Sequence, residues 1–347
     1  MRTRAEVRGT KIINFKHQLK KILNMKKTLV ILITAMTVTA TYGQITTTKV
    51  VPKVEKTDNT PYDSTKNFLG KNVYKYVGQE LYLNGKAESL RKHGYEGFFS
   101  DYNKSKSDGG VYKCCDSYNS KYDELTGKYF TVLEVIKHPK ANNGNPTDEY
   151  LYGDVYFLKI QEKESKDIIY FEYKSKYEYD FPFIVAGYFT KLKQTEVGKE
   201  FIVRGKNWIS SEPMTDMNTG NPVSNFEAGG KWKCIDVTIE DKYYSLSLVL
   251  QNDKGEQIPL NIDNTEKTNW VFEFRQAELY KKQFGIENWQ QILNGKVKIG
   301  MTKEMCQLSW GKPKNINETI IAGKKSEQWV YSDNYLYFGN GILTAIQ

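Results

Sequence analysis

Histidine is nearly missing from this chain: three in 347 residues, and only His93 and His138 lie beyond position 43. Proline is scarce, at nine. The longest apolar stretch, near residue 30, falls short of the ~20 residues that a membrane-crossing helix needs. There is no Gly-x-Ser-x-Gly, no His-Glu-x-x-His, no Walker loop and no Cys-x-x-Cys spacing. These absences remove the common signatures of serine hydrolases, zinc proteases, P-loop enzymes and zinc sites. The sequence therefore argues against an enzyme. It points to no catalytic residue, no cofactor and no metal.

Basic charge is also missing from most of the chain, although the total suggests otherwise. Of the 50 Lys+Arg and 41 Asp+Glu, residues 1–43 hold 9 and 1, which leaves 41 against 40. A nucleic-acid partner, which needs a basic surface, is not expected. The excess sits in a leader. Met25-Lys26-Lys27 is basic, Leu29–Met36 is apolar, and Thr41-Tyr42-Gly43 is small and polar. That order reads as a cleavable secretory signal over residues 1–43, with Gln44 as the new N-terminus. Met25 reads as the true start and residues 1–24 as a mis-assigned extension. A retained anchor is the competing reading, but Thr37, Thr39 and Thr41 interrupt any longer apolar run. No transmembrane anchor remains after cleavage. No cysteine follows the cleavage site, so lipid attachment there is not indicated. The expected location is exported: periplasm, outer-membrane-associated or secreted.

What the chain has in quantity is tyrosine, 25 against 16 Phe. Tyr suits half-buried sheet surfaces, and short strand-like runs punctuated by Gly, Asn, Asp and Lys suit a β-rich fold. Cys114, Cys115, Cys234 and Cys306 are candidate disulfide cysteines in an oxidising envelope, with connectivity open and buried thiols as the alternative.

Residues 44–70 lack periodicity and read as a flexible linker. Strands are expected at Val77–Leu83, Tyr129–Lys137, Val155–Gln161, Asp167–Lys174, Glu200–Arg204, Lys231–Ile239, Tyr244–Gln251 and Gln257–Ile262. A repeat runs through them. Val77-Gly78-Gln79-Glu80-Leu81-Tyr82-Leu83 matches Val197-Gly198-Lys199-Glu200-Phe201-Ile202-Val203. Gly127-Lys128-Tyr129 aligns with Gly230-Lys231-Trp232, and Tyr156–Gln161 with Ser247–Gln251. The organisation expected is two small antiparallel β units, 71–190 and 191–265, as two copies of one design. The apolar Phe181–Phe189 joins them.

After Asn264 the period changes to helical. Phe274–Phe284 and Ile286–Leu293 are expected as amphipathic helices, with Gly285 between them. Thr302 is a helix cap, and Trp310-Gly311-Lys312-Pro313 a helix stop. Strands follow at Glu327–Tyr331, Tyr335–Phe338 and Ile342–Ile346, with Asn340-Gly341 as a tight turn.

Four elements of this segment stand in a fixed order: Gly300-Met301-Thr302, Gly311-x-Pro313, Trp329-x-Tyr331 and Phe338-x-Asn340-Gly341. In that order the segment 270–347 resembles the SmpA/OmlA family, the BamE-like outer-membrane assembly lipoproteins. The resemblance implies an α+β module of two helices against a three-stranded antiparallel sheet. It also implies an accessory scaffold in the cell envelope. The overall expectation is an α+β, mostly β chain that binds an unidentified envelope protein without being an enzyme. A secreted glycan-binding or small-ligand-binding protein is the alternative. A secreted hydrolase comes third, using a Cys–His pair from Cys114 or Cys115 with His93 or His138, or the acids Asp148 and Glu149.

Overall fold

The computed structural model describes residues 60–114, 118–141, 143–205, 214–223, 227–262, 271–321 and 324–347. These all fall in one unit, Thr57–Gln347. The expected signal over 1–43, the start at Met25 and linker residues 44–59 lie outside the described residues, as does Cys115.

The chain is α+β and mostly β. Its strands are β1 (Glu80–Leu83), β2 (Phe98–Phe99), β3 (Tyr129–Lys137), β4 (Val155–Glu162), β5 (Ile168–Lys174) and β6 (Phe183–Val185). Then come β7 (Glu200–Val203), β8 (Lys231–Ile239), β9 (Leu246–Gln251), β10 (Gln257–Asn261) and β11 (Val271–Glu273). The last four are β12 (Asn315–Ile321), β13 (Lys324–Val330), β14 (Tyr335–Gly339) and β15 (Ile342–Ile346). They form three antiparallel sheets, ordered β2-β5-β4-β3-β1-β6, β10-β9-β8-β7-β11 and β12-β13-β14-β15. The helices are α1 (Glu88–Arg91), α2 (Tyr122–Leu125), α3 (Pro146–Tyr152), α4 (Ala186–Glu196), α5 (Phe274–Leu293) and α6 (Lys303–Trp310).

Side-chain alternation builds the first sheet. On β5, Ile169, Phe171 and Tyr173 turn inward while Tyr170 and Glu172 are only half-buried, the period of two that a strand imposes. The inward rings meet Phe98, Phe130 and Phe183; Phe98 and Phe171 lie 5.0 Å apart and Phe171 and Phe183 5.1 Å. Each such ring removed from water contributes roughly 1.5–3 kcal/mol.

With β2 set aside, the first two sheets have one strand order. Each is a four-strand meander whose first strand also pairs with a short fifth strand. The registers correspond as well. Leu81 pairs with Phe130 and Phe201 with Trp232. The second strand of each sheet slips at one point, between Val132 and Glu134 in β3 and between Cys234 and Asp236 in β8. The extra residue breaks the alternation, so Phe130 and Val132 are buried with Val135 packed beside them, and Trp232, Cys234 and Val237 are buried in turn. Before each first strand a glycine takes a left-handed turn, Gly78 at φ 81° and Gly198 at φ 92°. Its N–H donates to Val132 O in one sheet and to Cys234 O in the other, both at 2.8 Å.

This correspondence corrects the sequence alignment by one residue. Gly127 donates to Leu83 O and Gly229 donates to Val203 O. Gly127 therefore matches Gly229, not Gly230. The second sheet also takes its fifth strand from β11, beyond the 191–265 boundary drawn from sequence.

The expected Tyr244–Gln251 strand starts later, at Leu246, because Tyr244 adopts φ 56°, which a strand cannot use. Residues 60–70 do not behave as linker. The Asn67 side chain donates to Phe183 O and accepts from Val185 N, both at 2.8 Å. One amide thus satisfies two backbone groups on the open edge of β6, the kind of cover an edge strand needs. The apolar segment Phe181–Phe189 splits between cores. Phe181, Phe183 and Tyr188 pack in the first, while Phe189 and Leu192 on α4 pack in the second.

The C-terminal sheet has four strands, where the resemblance implies three. The added β12 runs the length of β13. Only α6 packs directly into that sheet's core, beside Met301, Trp329, Leu336, Phe338 and Leu343. The long α5 instead lies over Ile202 and Phe272 of the second sheet. It breaks at Gly285, φ 79°, where the sequence expects two helices to meet.

Candidate functional site

The first strand of each β unit is followed by a polar residue and Gly-Lys: Asn84-Gly85-Lys86 and Arg204-Gly205-Lys206. The repeat thus runs three residues past the match drawn from sequence. Both positions are joints to the next part of the chain. Asn84 Nδ2 donates to Tyr244 O of the second unit at 2.6 Å, and Arg91 Nη2 donates to Tyr244 Oη at 3.2 Å. The Tyr244 ring lies so close to Gly85 that a Cβ there would meet it at 2.0 Å. A glycine is required by that approach.

Arg204 makes the second joint. It is buried, and its Nη2 donates to Ile292 O at 3.2 Å and to Ser309 O at 2.8 Å. These carbonyls lie in the last turns of α5 and α6. The last carbonyls of a helix have no partner within it and carry the negative end of its dipole, so a cation there is stabilised. One guanidinium thus gathers β7, α5 and α6. It also lies over the Phe272 ring at 5.3 Å. Burial pulls its pKa down to about 10, which leaves it charged at neutral pH. Gly205 again lets the neighbour close in, since a Cβ there would meet Asn294 Oδ1 at 3.0 Å.

Beside this joint is a cleft of about 620 Å³ between β7, β11, α5 and α6. Phe272, Tyr280 and Leu308 form its apolar walls. Arg204, Lys312, Gln276 and Gln307 bring donors, and Glu273 brings a carboxylate. Glu273 already holds Lys199 at 3.3 Å.

The residues singled out by motif in the C-terminal module occupy framework positions. Gly300 and Gly311 take left-handed φ of 94° and 80°, and Asn340 and Gly341 make a left-handed pair at 50° and 82°. Thr302 Oγ1 caps α6 by accepting from Met305 N at 3.3 Å. Met301, Trp329 and Phe338 are buried, with the last two rings 4.7 Å apart. Tyr331 Oη donates to Gly311 O at 3.0 Å, tying a strand to the helix stop just before Pro313. Glu327 is buried among donors: it pairs with Lys303, with Lys325 at 3.1 Å, and accepts from Trp329 Nε1 at 3.1 Å. The Lys303 hydrogen bond, outweighing burial, holds its pKa down at about 2.

The structure holds Cys114, Cys234 and Cys306 as thiols, so no bridge joins these three candidates. Cys234 sits in the core of the second sheet and Cys306 in that of the third. Burial pushes the Cys306 thiol up to about 12, far from a reactive thiolate. His138 is a stacking residue: its ring lies 4.2 Å from Tyr152, and its Nδ1 accepts from Lys140 N. His93 closes a turn through its backbone, donating to Leu90 O. Asp148 accepts from Asn143 Nδ2 on the surface.

A patch that sequence reasoning did not find lies at one end of the first sheet. Tyr150 and Tyr179 are 85 % and 82 % exposed, and Tyr177 about half. Tyr177 and Tyr179 are 5.6 Å apart. Lys176 binds Asp154 at 2.6 Å and also feels the hydroxyls of Tyr150 and Tyr177. The signal was the Tyr-rich stretch Tyr177–Tyr179 itself, indistinguishable by pattern from core tyrosines such as Tyr173.

Among the described residues no group of three His, Cys, Asp or Glu could hold a metal, and no helix is long and apolar enough to cross a membrane. Comparison with known proteins returns no matching family model, no matching curated protein and no matching solved structure.

Proposed function

We propose that this is an exported, non-enzymatic cell-envelope protein that acts by binding a partner protein, as an accessory scaffold. The observation that carries this reading is the exposed tyrosine patch. Tyr150, Tyr177 and Tyr179, exposed near the Lys176–Asp154 pair, offer large contact area at low entropic cost, and Tyr is enriched where proteins dock. The two like β units and the C-terminal module supply the frame that presents it, and we take the units as a duplication. The BamE-like reading of the module belongs to this proposal. It is supported by the Thr302 cap, the Gly311 stop and the Trp329–Phe338 pair, while the fourth strand is a departure from it. Export rests on the leader pattern before Gln44.

The test is crosslinking in the living cell with the tagged full chain as bait, beside Tyr150→Ala/Tyr179→Ala. Both side chains are exposed, so the double variant folds. A specific envelope protein captured by the parent and lost from the variant supports the patch as the docking surface. Equal capture by both moves the partner elsewhere. Capture of none ends the scaffold reading. Mass spectrometry of the exported chain checks the leader: the N-terminal peptide should begin at Gln44.

A further inference from the structure

We propose that the cleft beside Arg204 is a binding site for a small organic anion, a monocarboxylate carried on an aromatic ring system. The proposal goes beyond the scaffold reading and does not depend on it.

The cleft has the size for a small ligand: about 620 Å³ lies within the roughly 300–1,000 Å³ of small-ligand sites. Its wall chemistry fits an aromatic body. Phe272 and Tyr280 line the space and are only half-buried, and rings there suit a flat apolar body stacked or set edge-on against them. Charge points the same way. Arg204 and Lys312 both line the cleft, and the one acid among its lining residues, Glu273, is engaged by Lys199. The field inside is therefore positive, and low-dielectric walls strengthen it. Gln276 of α5 and Gln307 of α6 add amide donors to the lining.

The place in the fold adds a consequence. The cleft is walled by β7 and β11 of the second unit on one side and by α6 of the C-terminal module on the other. An occupant touching both would tighten the joint that Arg204 makes. Binding to the folded state alone also raises the unfolding temperature.

The test uses the full chain and two probes of one shape, 1-naphthoate and the neutral 1-naphthalenemethanol, titrated by calorimetry. Naphthoate should bind at least about tenfold more tightly than the alcohol, and Lys312→Glu should remove that preference. Gln276→Trp should block both probes by filling the mouth. Lys312 and Gln276 are exposed, so unchanged circular dichroism is expected of both variants and serves as the folding control. Equal affinity for acid and alcohol overturns the proposal. So does naphthoate binding that survives both variants, or no naphthoate binding at millimolar concentration.

Discussion

At the scale of single residues, two positions show how chemistry fixes geometry. Gly85 is glycine because the Tyr244 ring occupies the space of a side chain. Gly85→Ala should drive the ring out of the joint and cost about 1–3 kcal/mol, as overpacking does. Tyr244→Ala placed on top should add little, because the displaced ring has already lost its contacts at the joint. A double-mutant cycle by urea unfolding measures this coupling. Gly85→Ala as stable as the parent would mean that the ring and the strand end do not meet. Glu327 gives the second case. Its pKa is held at about 2, first by the Lys303 hydrogen bond, against 4.5 ordinarily. A carboxyl whose folded pKa is depressed stabilises the fold above its unfolded pKa and stops doing so as the pH falls through the folded one. The stability from Glu327 is thus complete above about pH 4.5 and lost on the way to pH 2. Thermal unfolding followed by circular dichroism should show this acid loss in the parent and a flatter profile in Glu327→Gln. Two parallel profiles would remove the assignment.

At the scale of elements, equivalence between the two β units is a quantity that can be measured. Gly78 and Gly198 open the two first strands with left-handed φ, and a Cβ at either would meet nothing within 4 Å. An Ala there suffers from backbone conformation alone, about 1–2 kcal/mol. The two substitutions should therefore cost the same, which urea titration of each variant decides. A difference well beyond the error of the method would show that the turns are not counterparts. The elements that sequence resolved are those where burial imposes a pattern. β3 and β8 keep the expected bounds, because buried residues alternate into each from its start, Phe130 and Val132 in one and Trp232 and Cys234 in the other. β12 left no such pattern: Asn315–Ile320 is exposed on both faces, and pairing with β13, joined by the Glu318–Lys325 and Asn317–Gln328 contacts, makes it a strand. α4 hid inside an apolar run, since Gly187 and Thr190 are poor helix formers and its two faces serve two different cores. The site was least legible of all. Arg204 is 88 and 105 residues from the carbonyls it binds, and no local spacing encodes that. The repeated Gly-Lys after each first strand was the one trace of it.

At the scale of the whole molecule, the question is what makes separate sheets behave as one body. Each joint places a polar side chain at the end of a first strand and a glycine after it. Asn84 reaches a single loop. Arg204 reaches the C-terminal ends of two helices, and so ties the second unit to everything after Gly295. Its burial is tolerable only because those carbonyls share its charge. Arg204→Leu keeps the bulk and removes the donors, which strips this partner from the Ser309 carbonyl at about 1–3 kcal/mol, while Ile292 O still accepts from Gly295 N. The loss falls on the joint, because the C-terminal core of Met301, Trp329, Leu336 and Phe338 is closed without Arg204. Scanning calorimetry should therefore split: the C-terminal module of Arg204→Leu unfolds ahead of the β units, while the parent melts with the two coupled. Arg204→Lys should fall between, since an ammonium keeps the charge but not the fork of donors. A single unshifted transition in Arg204→Leu would show that packing of α5 over Ile202 and Phe272 couples the modules without help from the buried cation.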